Sequence, residues 1–248
     1  MVAEMEFRIN FFMGIFVECA WLVSKVLYAV VLYKSGIEIE GYNSSDMIIF
    51  VGMHTITTGI LISLFWPNYS KLTQYIKEGT LDIYIVKPVS LQFMVTLRYM
   101  SFGSLIPNVL GGVIMVIWGM QNKSLTFDIT TILGFLLFLV AGTIVSYGLF
   151  LLPQMLAFKI VEMTPLNNVV GQLQEVNNVP FIVYPNWIQK IGIYIFPIFV
   201  ISNFFPMYVL GRINLSFIIW TVLSPIIVMI VTRLLWKKAV CSYTSASS

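Results

Sequence analysis

Long apolar runs, each about the length of a membrane-spanning helix, alternate with short polar connectors along the chain. A transmembrane helix needs about 20 mostly apolar residues. Six segments reach that length, namely 11–33, 47–66, 93–120, 129–152, 188–210 and 215–236. Connectors rich in turn-forming residues, such as 35–46, separate them. The pattern predicts an all-α membrane protein in which residues 1–248 form a single transmembrane domain.

The composition supports this prediction, because 58% of the 248 residues are hydrophobic and only 10% are charged. Soluble domains have about 45–50% apolar and about 25% charged residues. The mean hydropathy is +0.90. A formal net charge of +3 is too small to indicate nucleic acid as a partner. Membrane lipid is therefore the environment that the composition predicts.

The basic residues predict the orientation, since Lys and Arg near span ends are retained in the cytoplasm. With six spans and the N-terminus inside, Lys25 falls within the first span and only three basic residues fall outside, Lys34, Lys123 and Arg212. The inner side receives ten: Arg8, Lys71, Lys77, Lys87, Arg98, Lys159, Lys190, Arg233, Lys237 and Lys238. We therefore expect a multi-pass protein of the cytoplasmic membrane with both termini in the cytoplasm.

Several kinds of enzyme chemistry are excluded by the sequence. No glycine is followed by lysine, so the chain has no P-loop for a nucleotide. His54 is the only histidine, and a His-based metal site or catalytic triad therefore cannot form. We interpret His54 as a packed, hydrogen-bonded residue. The sequence predicts no catalytic activity, no cofactor and no metal on this chain.

Two charged residues, Glu18 and Lys25, lie within the first apolar run. Their spacing of two helical turns places them on one face, about 10 Å apart along the axis. Charges within a membrane are costly and usually face a cavity or a partner. One interpretation is that they line a polar path or a subunit interface. The other is that both side chains extend to opposite membrane surfaces, with Trp21 between them.

Prolines interrupt the fifth apolar run at Pro197 and Pro206. Each removes a helix hydrogen bond and tends to kink or end a helix. A broken helix within a membrane is tolerated only where protein or water covers it. This segment is expected either to turn at Ser202 and Asn203 and partly re-enter the membrane, or to form a single kinked helix.

Two cytoplasmic connectors follow from the predicted orientation. In connector 67–91, Leu72, Tyr75 and Ile76 recur at helical spacing, and Gly79 is placed to end that helix. The spacing is typical of a short amphipathic helix that offers polar side chains to a soluble partner, although a merely solvated loop has the same composition. Residues 161–179 form a second amphipathic segment, which we expect at the membrane surface.

Segments 41–54 and 64–91 resemble the ABC-2 family of ABC-transporter permeases. More narrowly, they resemble its six-span branch, whose first cytoplasmic loop reads I-x-x-G-x-L-D-x-x-L-x-[KR]-P. The chain matches that motif with Ile85 in place of the usual leucine, at Ile76, Gly79, Leu81, Asp82, Ile85, Lys87 and Pro88. The two-proline segment 195–211 and the tail 236–248 are also similar to that branch.

The resemblance implies a type V exporter-like architecture, working as a homo- or heterodimer with two ATP-binding cassette subunits that carry ATP and Mg. It implies that residues 1–10 form an interfacial helix and that the segment near Pro206 caps the outer exit. It also implies that the connector is a coupling helix, contacting the ATPase through Tyr75, Ile76, Lys77, Glu78, Gly79, Leu81, Asp82, Lys87 and Pro88.

The implied function is outward transport of an apolar or amphiphilic substrate. The sequence leaves two alternatives open, a stand-alone secondary transporter and a non-transporting membrane scaffold or sensor. A broken fifth span suits the first of these. However, the chain has no inverted repeat and few carboxylates within its apolar runs for ion coupling.

Overall fold

The computed structural model describes residues 8–35, 41–160 and 164–243, which are mostly helical and contain no β-strand. The predicted interfacial helix 1–10 lies mostly outside these residues, and residues 8–10 open the first long helix. The α-helices are α1 Arg8–Ser35, α2 Ser44–Ile60, α3 Trp66–Lys77, α4 Leu81–Ile85, α5 Leu91–Thr96, α6 Phe102–Asn122, α7 Ile129–Gln154, α8 Thr164–Glu175, α9 Asn186–Lys190, α10 Phe204–Val209 and α11 Leu215–Cys241.

Five helices in the described part of the chain are long and apolar enough to cross a membrane. They are Phe12–Val31, Ser44–Lys77, Phe102–Asn122, Ile129–Phe158 and Leu215–Cys241. Four begin within a few residues of their predicted start, whereas the span predicted at 93 begins at Phe102. The run predicted at 188–210 forms no continuous helix.

The second span is longer than predicted, because α2 continues through the π-helical turn Leu61–Phe65 into α3. Pro67 has no N–H to donate to the Ser63 carbonyl. That carbonyl instead accepts a hydrogen bond of 2.9 Å from the Ser101 N–H, so the helix continues past the proline. The short connector helix predicted over residues 72–77 is thus the end of this span. It ends where Gly79 adopts a positive φ of 69°.

The third span begins at Phe102 and not at residue 93. Residues 91–96 form the separate helix α5, and the backbone between Leu97 and Ser101 is not helical. The buried side chain of Asn68 stabilises the break, donating to the Tyr99 carbonyl at 2.7 Å and accepting from the Tyr99 N–H at 2.9 Å. Both backbone groups are therefore satisfied without helix, which the apolar pattern alone did not indicate.

Glycines bring α2 and α6 into close antiparallel contact. A Cβ added at Gly52 would lie 2.8 Å from the Gly112 carbonyl oxygen, and one at Gly59 would lie 2.4 Å from Asn108 Cβ. Gly119 faces Ile49 in the same way. These glycines recur at seven-residue intervals on both helices, so the two backbones approach closely along a continuous seam.

The contacts between α7 and α11 show that these two helices run parallel. Gly148 meets Val228 and Thr232, while Phe158, further along, packs on the Trp236 ring at 5.7 Å. Parallel neighbours require the intervening chain to return from the end of one helix to the start of the other. Residues 159–214 therefore cross the bundle once, although as several short pieces.

The segment that contains Pro197 and Pro206 is divided into several short helical pieces. The alternative prediction of a single kinked helix is therefore wrong. The π-helical turn Ile191–Ile195 ends at Phe196, whose φ of −115° and ψ of 87° suit a residue before proline. A turn at residues 201–203 follows, and α10 begins at Phe204. Pro206 lies in the first turn of α10, where a missing N–H is harmless.

The second amphipathic segment is anchored to the bundle at its C-terminal end, and its expected position at the membrane surface stays a prediction. Its helix α8 leads into the 3₁₀ turn Val176–Asn178, where the buried Asn177 accepts a hydrogen bond of 3.2 Å from Ser202. Asn203 accepts a bond of 2.8 Å from the Phe181 N–H. These buried polar contacts hold the end of α8 inside the bundle.

Candidate functional site

A cavity of about 590 Å³ lies between α1, α2 and the end of α8. We call it the α1–α2 cavity. Its volume is in the range of sites that hold small organic molecules. Its lining mixes apolar, aromatic and charged side chains: Glu18, Trp21, Ser24, Lys25, Tyr28, Val51, His54, Thr58, Ile62, Asn108, Gln174, Glu175, Asn178 and Val179.

The structure brings Glu18 and Lys25 together at this cavity, with Trp21 on the same wall. One Glu18 carboxylate oxygen accepts a hydrogen bond of 2.8 Å from the Asn108 side-chain amide. Asn108 is buried and packs against Gly59, so its amide is held in place. Glu18 and Lys25 thus line one cavity, and their role in a polar path or a subunit interface stays a prediction.

Sequence reasoning missed the other polar contributors to the cavity, among them Asn108, Thr58 and Glu175. His54 is hydrogen-bonded as expected, with its Nε2 3.2 Å from the Thr58 hydroxyl, but it also lines the cavity. Asn108 and Thr58 were visible as polar residues within apolar runs, which is a usable signal. Glu175 was not, because no periodicity indicated that α8 would end inside the bundle.

The predicted coupling residues divide into a covered and an exposed set. Leu81 is fully buried, and Tyr75 packs on the Tyr84 ring at a centroid distance of 4.8 Å. Asp82 lies beside Tyr243, whose pKa is raised by burial and, secondarily, by that carboxylate. Ile76 and Gly79 are half-covered. The exposed members are Lys77, Glu78, Lys87 and Pro88.

An apolar patch that the sequence analysis missed lies beside the exposed charges. Val86 is 82% exposed, the highest value among the large apolar side chains of the described residues. Three other exposed apolar side chains flank it within α4 and the following turn, and we call the set the connector tip: Ile83, Ile85, Val86 and Val89. Such a patch next to charged residues is typical of a protein interaction surface.

Aromatic and basic side chains hold the connector against the bundle. Arg98 donates a hydrogen bond of 2.6 Å to the Tyr84 hydroxyl, and Lys71 Nζ lies 3.4 Å from the centroid of the Tyr99 ring. The Tyr75 hydroxyl donates to that of Tyr99 at 3.3 Å, which lowers the Tyr99 pKa. These contacts hold α4, which contains Tyr84, against α3 and against the non-helical residues before α6.

The opposite end of the bundle is joined by a charged group that we call the Asp46 cluster: Tyr42, Asn43, Asp46, Lys123 and Arg212. The fully buried Asp46 forms ion pairs with Lys123 and, at 3.2 Å, with Arg212. It also completes a capping box with Asn43 at the start of α2. Burial raises the pKa of Tyr42 to about 12, and the Arg212 guanidinium lies over its ring. Three loops are thereby fixed to one carboxylate.

Comparison with known proteins agrees with the fold and with the sequence resemblance. A family model described as "ABC-2 family transporter protein" matches residues 19–247. This range includes four of the five long helices completely and the first of them from residue 19 onward. No curated protein and no solved structure matches the chain. The chain belongs to the ABC-2 family of transporter proteins and is a multi-pass membrane permease of an ABC transporter.

Proposed function

We propose that this chain is the permease subunit of an ATP-driven exporter in the cytoplasmic membrane. Both termini lie in the cytoplasm, and a dimer of permease chains moves an apolar or amphiphilic substrate outward. A separate ATP-binding cassette subunit supplies ATP and Mg. The membership in the ABC-2 family supports the pairing with an ATPase. The excess of basic residues near the connector supports its cytoplasmic placement.

The observation that carries this proposal is the continuity between the connector and the cavity. One helical element, Ser44–Lys77, contributes Val51, His54 and Thr58 to the α1–α2 cavity and ends at the connector. The connector tip then exposes its apolar side chains beyond that helix. A force on the connector is thus transmitted directly to a wall of the cavity.

Coupling requires that the ATPase bind the connector differently in its open and closed states. Glu78 and Lys77 offer charges and the connector tip offers apolar area, so both kinds of contact are available. The ties from Tyr75 and Arg98 oppose independent movement of the connector. Closure of the ATPase would therefore tilt the Ser44–Lys77 helix and α6, which packs on it through glycines.

Val86→Asp in the connector tip is expected to abolish stable association with the ATP-binding cassette subunit. A carboxylate placed in an apolar contact costs several kcal/mol when its water is removed, and roughly 3 kcal/mol weakens association more than about a hundredfold. Co-purification of the two subunits and substrate-stimulated ATP hydrolysis in lipid nanodiscs measure the effect.

Leu215→Asp is the matched control, because Leu215 is 71% exposed at the opposite end of the bundle. That variant is expected to retain the ATPase. Equal retention by the Val86→Asp variant would contradict the assignment of the connector.

Glu78→Lys with Asp82→Lys is expected to leave ATP hydrolysis running without transport. Transport that persists without any ATPase would instead indicate a secondary transporter.

A further inference from the structure

The α1–α2 cavity contains an unequal set of charges. Two carboxylates, Glu18 and Glu175, and one ammonium, Lys25, belong to its lining. With His54 counted as neutral, the lining has a formal charge of −1. These side chains line one pocket in a bundle of membrane-length helices, where a charge without a partner is costly. The excess carboxylate is the feature to be explained.

Neither carboxylate is neutralised by a direct ion pair with Lys25. Among the described residues, the ion pairs within 4.0 Å are those of Asp46. Glu18 instead accepts from Asn108 at 2.8 Å, and Glu175 accepts from Asn178. Both carboxylates still act on Lys25 electrostatically, so the three charges share one space. The open cavity lets water solvate them when it is empty.

A ligand that displaces this water must compensate the charge it leaves behind. Lys25 balances one carboxylate across the cavity, and the second needs a positive charge from the ligand. Trp21 and Tyr28 line the same wall and favour a cation over an aromatic face. Val51, Ile62 and Val179 supply apolar walls for the rest of the molecule.

We propose that the α1–α2 cavity binds amphiphiles that carry a net positive charge, with Glu18 and Glu175 as counter-ions. This assignment rests on the proposed function, since it names the substrate class of that transporter. Lys25 sets the charge count: it restricts the ligand to a single excess positive charge and disfavours dications. Anionic amphiphiles are rejected because they would leave two carboxylates uncompensated.

The test compares tetraphenylphosphonium with tetraphenylborate, two ions of the same shape and opposite charge. Binding to the full chain in phosphatidylcholine nanodiscs is measured by equilibrium dialysis, with empty nanodiscs subtracted. We expect the cation to bind at least about tenfold more tightly than the anion. Equal affinity, or tighter binding of the anion, would overturn the proposal.

Three variants locate the site. Glu18→Gln keeps an acceptor for Asn108 and is expected to weaken cation binding about tenfold, as is Glu175→Gln. Lys25→Met is expected to strengthen it several-fold, which a merely unfolded protein would not do. Asp128→Asn removes an exposed carboxylate outside the cavity, keeps an acceptor for the Thr131 N–H and is expected to leave cation binding unchanged. Unchanged binding in both cavity glutamine variants would also overturn the assignment.

The binding measurement needs neither ATP nor a partner, so the two proposals fail separately. A complex that transports another molecule with ATP, but shows no selectivity for the phosphonium ion, refutes only the ligand assignment. Selective binding by a chain that neither associates with an ATPase nor responds to ATP refutes the exporter function, and the cation site stands.

Discussion

Replacing Gly112 with valine is expected to lower the free energy of unfolding by about 3 kcal/mol, the upper part of the usual range for overpacked sites. An added Cβ would lie 2.6 Å from the Gly52 carbonyl oxygen and 2.5 Å from Ile56 Cγ1. A backbone oxygen cannot rotate away as the end of a side chain can. The α2 and α6 helices must separate, and the dispersion contacts along the whole glycine seam weaken. Unfolding by sodium dodecyl sulfate in bicelles measures the change.

Gly14→Val is the matched control, because a Cβ at Gly14 in α1 would meet nothing within 4 Å. The same change of residue is therefore expected to be nearly neutral or slightly stabilising in α1, where helix propensity favours residues other than glycine. Similar losses in the two variants would show that glycine flexibility, and not close packing, explains Gly112.

The long helices could be predicted from the sequence because lipid imposes a length and an apolar composition on each of them. The breaks could be predicted only where a residue has a fixed local effect. Pro197 disfavours helical backbone at Phe196 before it, and the structure has that break. Pro67 also removes a donor, yet the Ser101 N–H satisfies the free carbonyl and the helix continues. A tertiary hydrogen bond therefore decides between the two outcomes.

The candidate site was predictable in the same limited way. Glu18 and Lys25 are visible as charges in an apolar run, and their spacing gives one helix face. Their partners come from α6 and α8, which periodicity cannot dock against α1. The coupling motif was visible as a sequence pattern, but Leu81 and Tyr75 pack inward, while Val86, which the motif does not include, is exposed. Exposure depends on the turn at Gly79, where φ is 69° and the preceding helix has ended.

The Asp46 cluster explains why basic residues occur at the end of the bundle that the orientation rule leaves nearly free of them. Lys123 and Arg212 are two of the three basic residues assigned to that end, and both pair with Asp46. Their positions are therefore set by a buried carboxylate and not by membrane insertion. Because the cluster joins the starts or ends of α2, α6 and α10, it holds these three elements together at the end of the bundle opposite the connector.

Asp46→Ala is expected to lower the free energy of unfolding by about 4 kcal/mol, from the loss of both its ion pairs and its cap. Removing one partner of a buried ion pair typically costs about 3–5 kcal/mol, and the partial exposure of Lys123 and Arg212, 23% and 40%, places this site at the lower end. The variant also loses the capping box with Asn43, worth about 1 kcal/mol. Asp46→Asn retains an acceptor for that cap, so the difference between the two variants separates the cap from the charges.

Asp128→Ala provides the reference for a capping aspartate alone. Asp128 caps α7 by accepting from the Thr131 N–H at 2.9 Å, and it has no ion pair with Lys or Arg among the described residues. Its loss is expected to cost about 1 kcal/mol. Adding Lys123→Met to Asp46→Asn is expected to restore part of the lost stability, because one uncompensated charge is removed. If the double variant is less stable than Asp46→Asn, the ion pair is not what stabilises this end of the bundle.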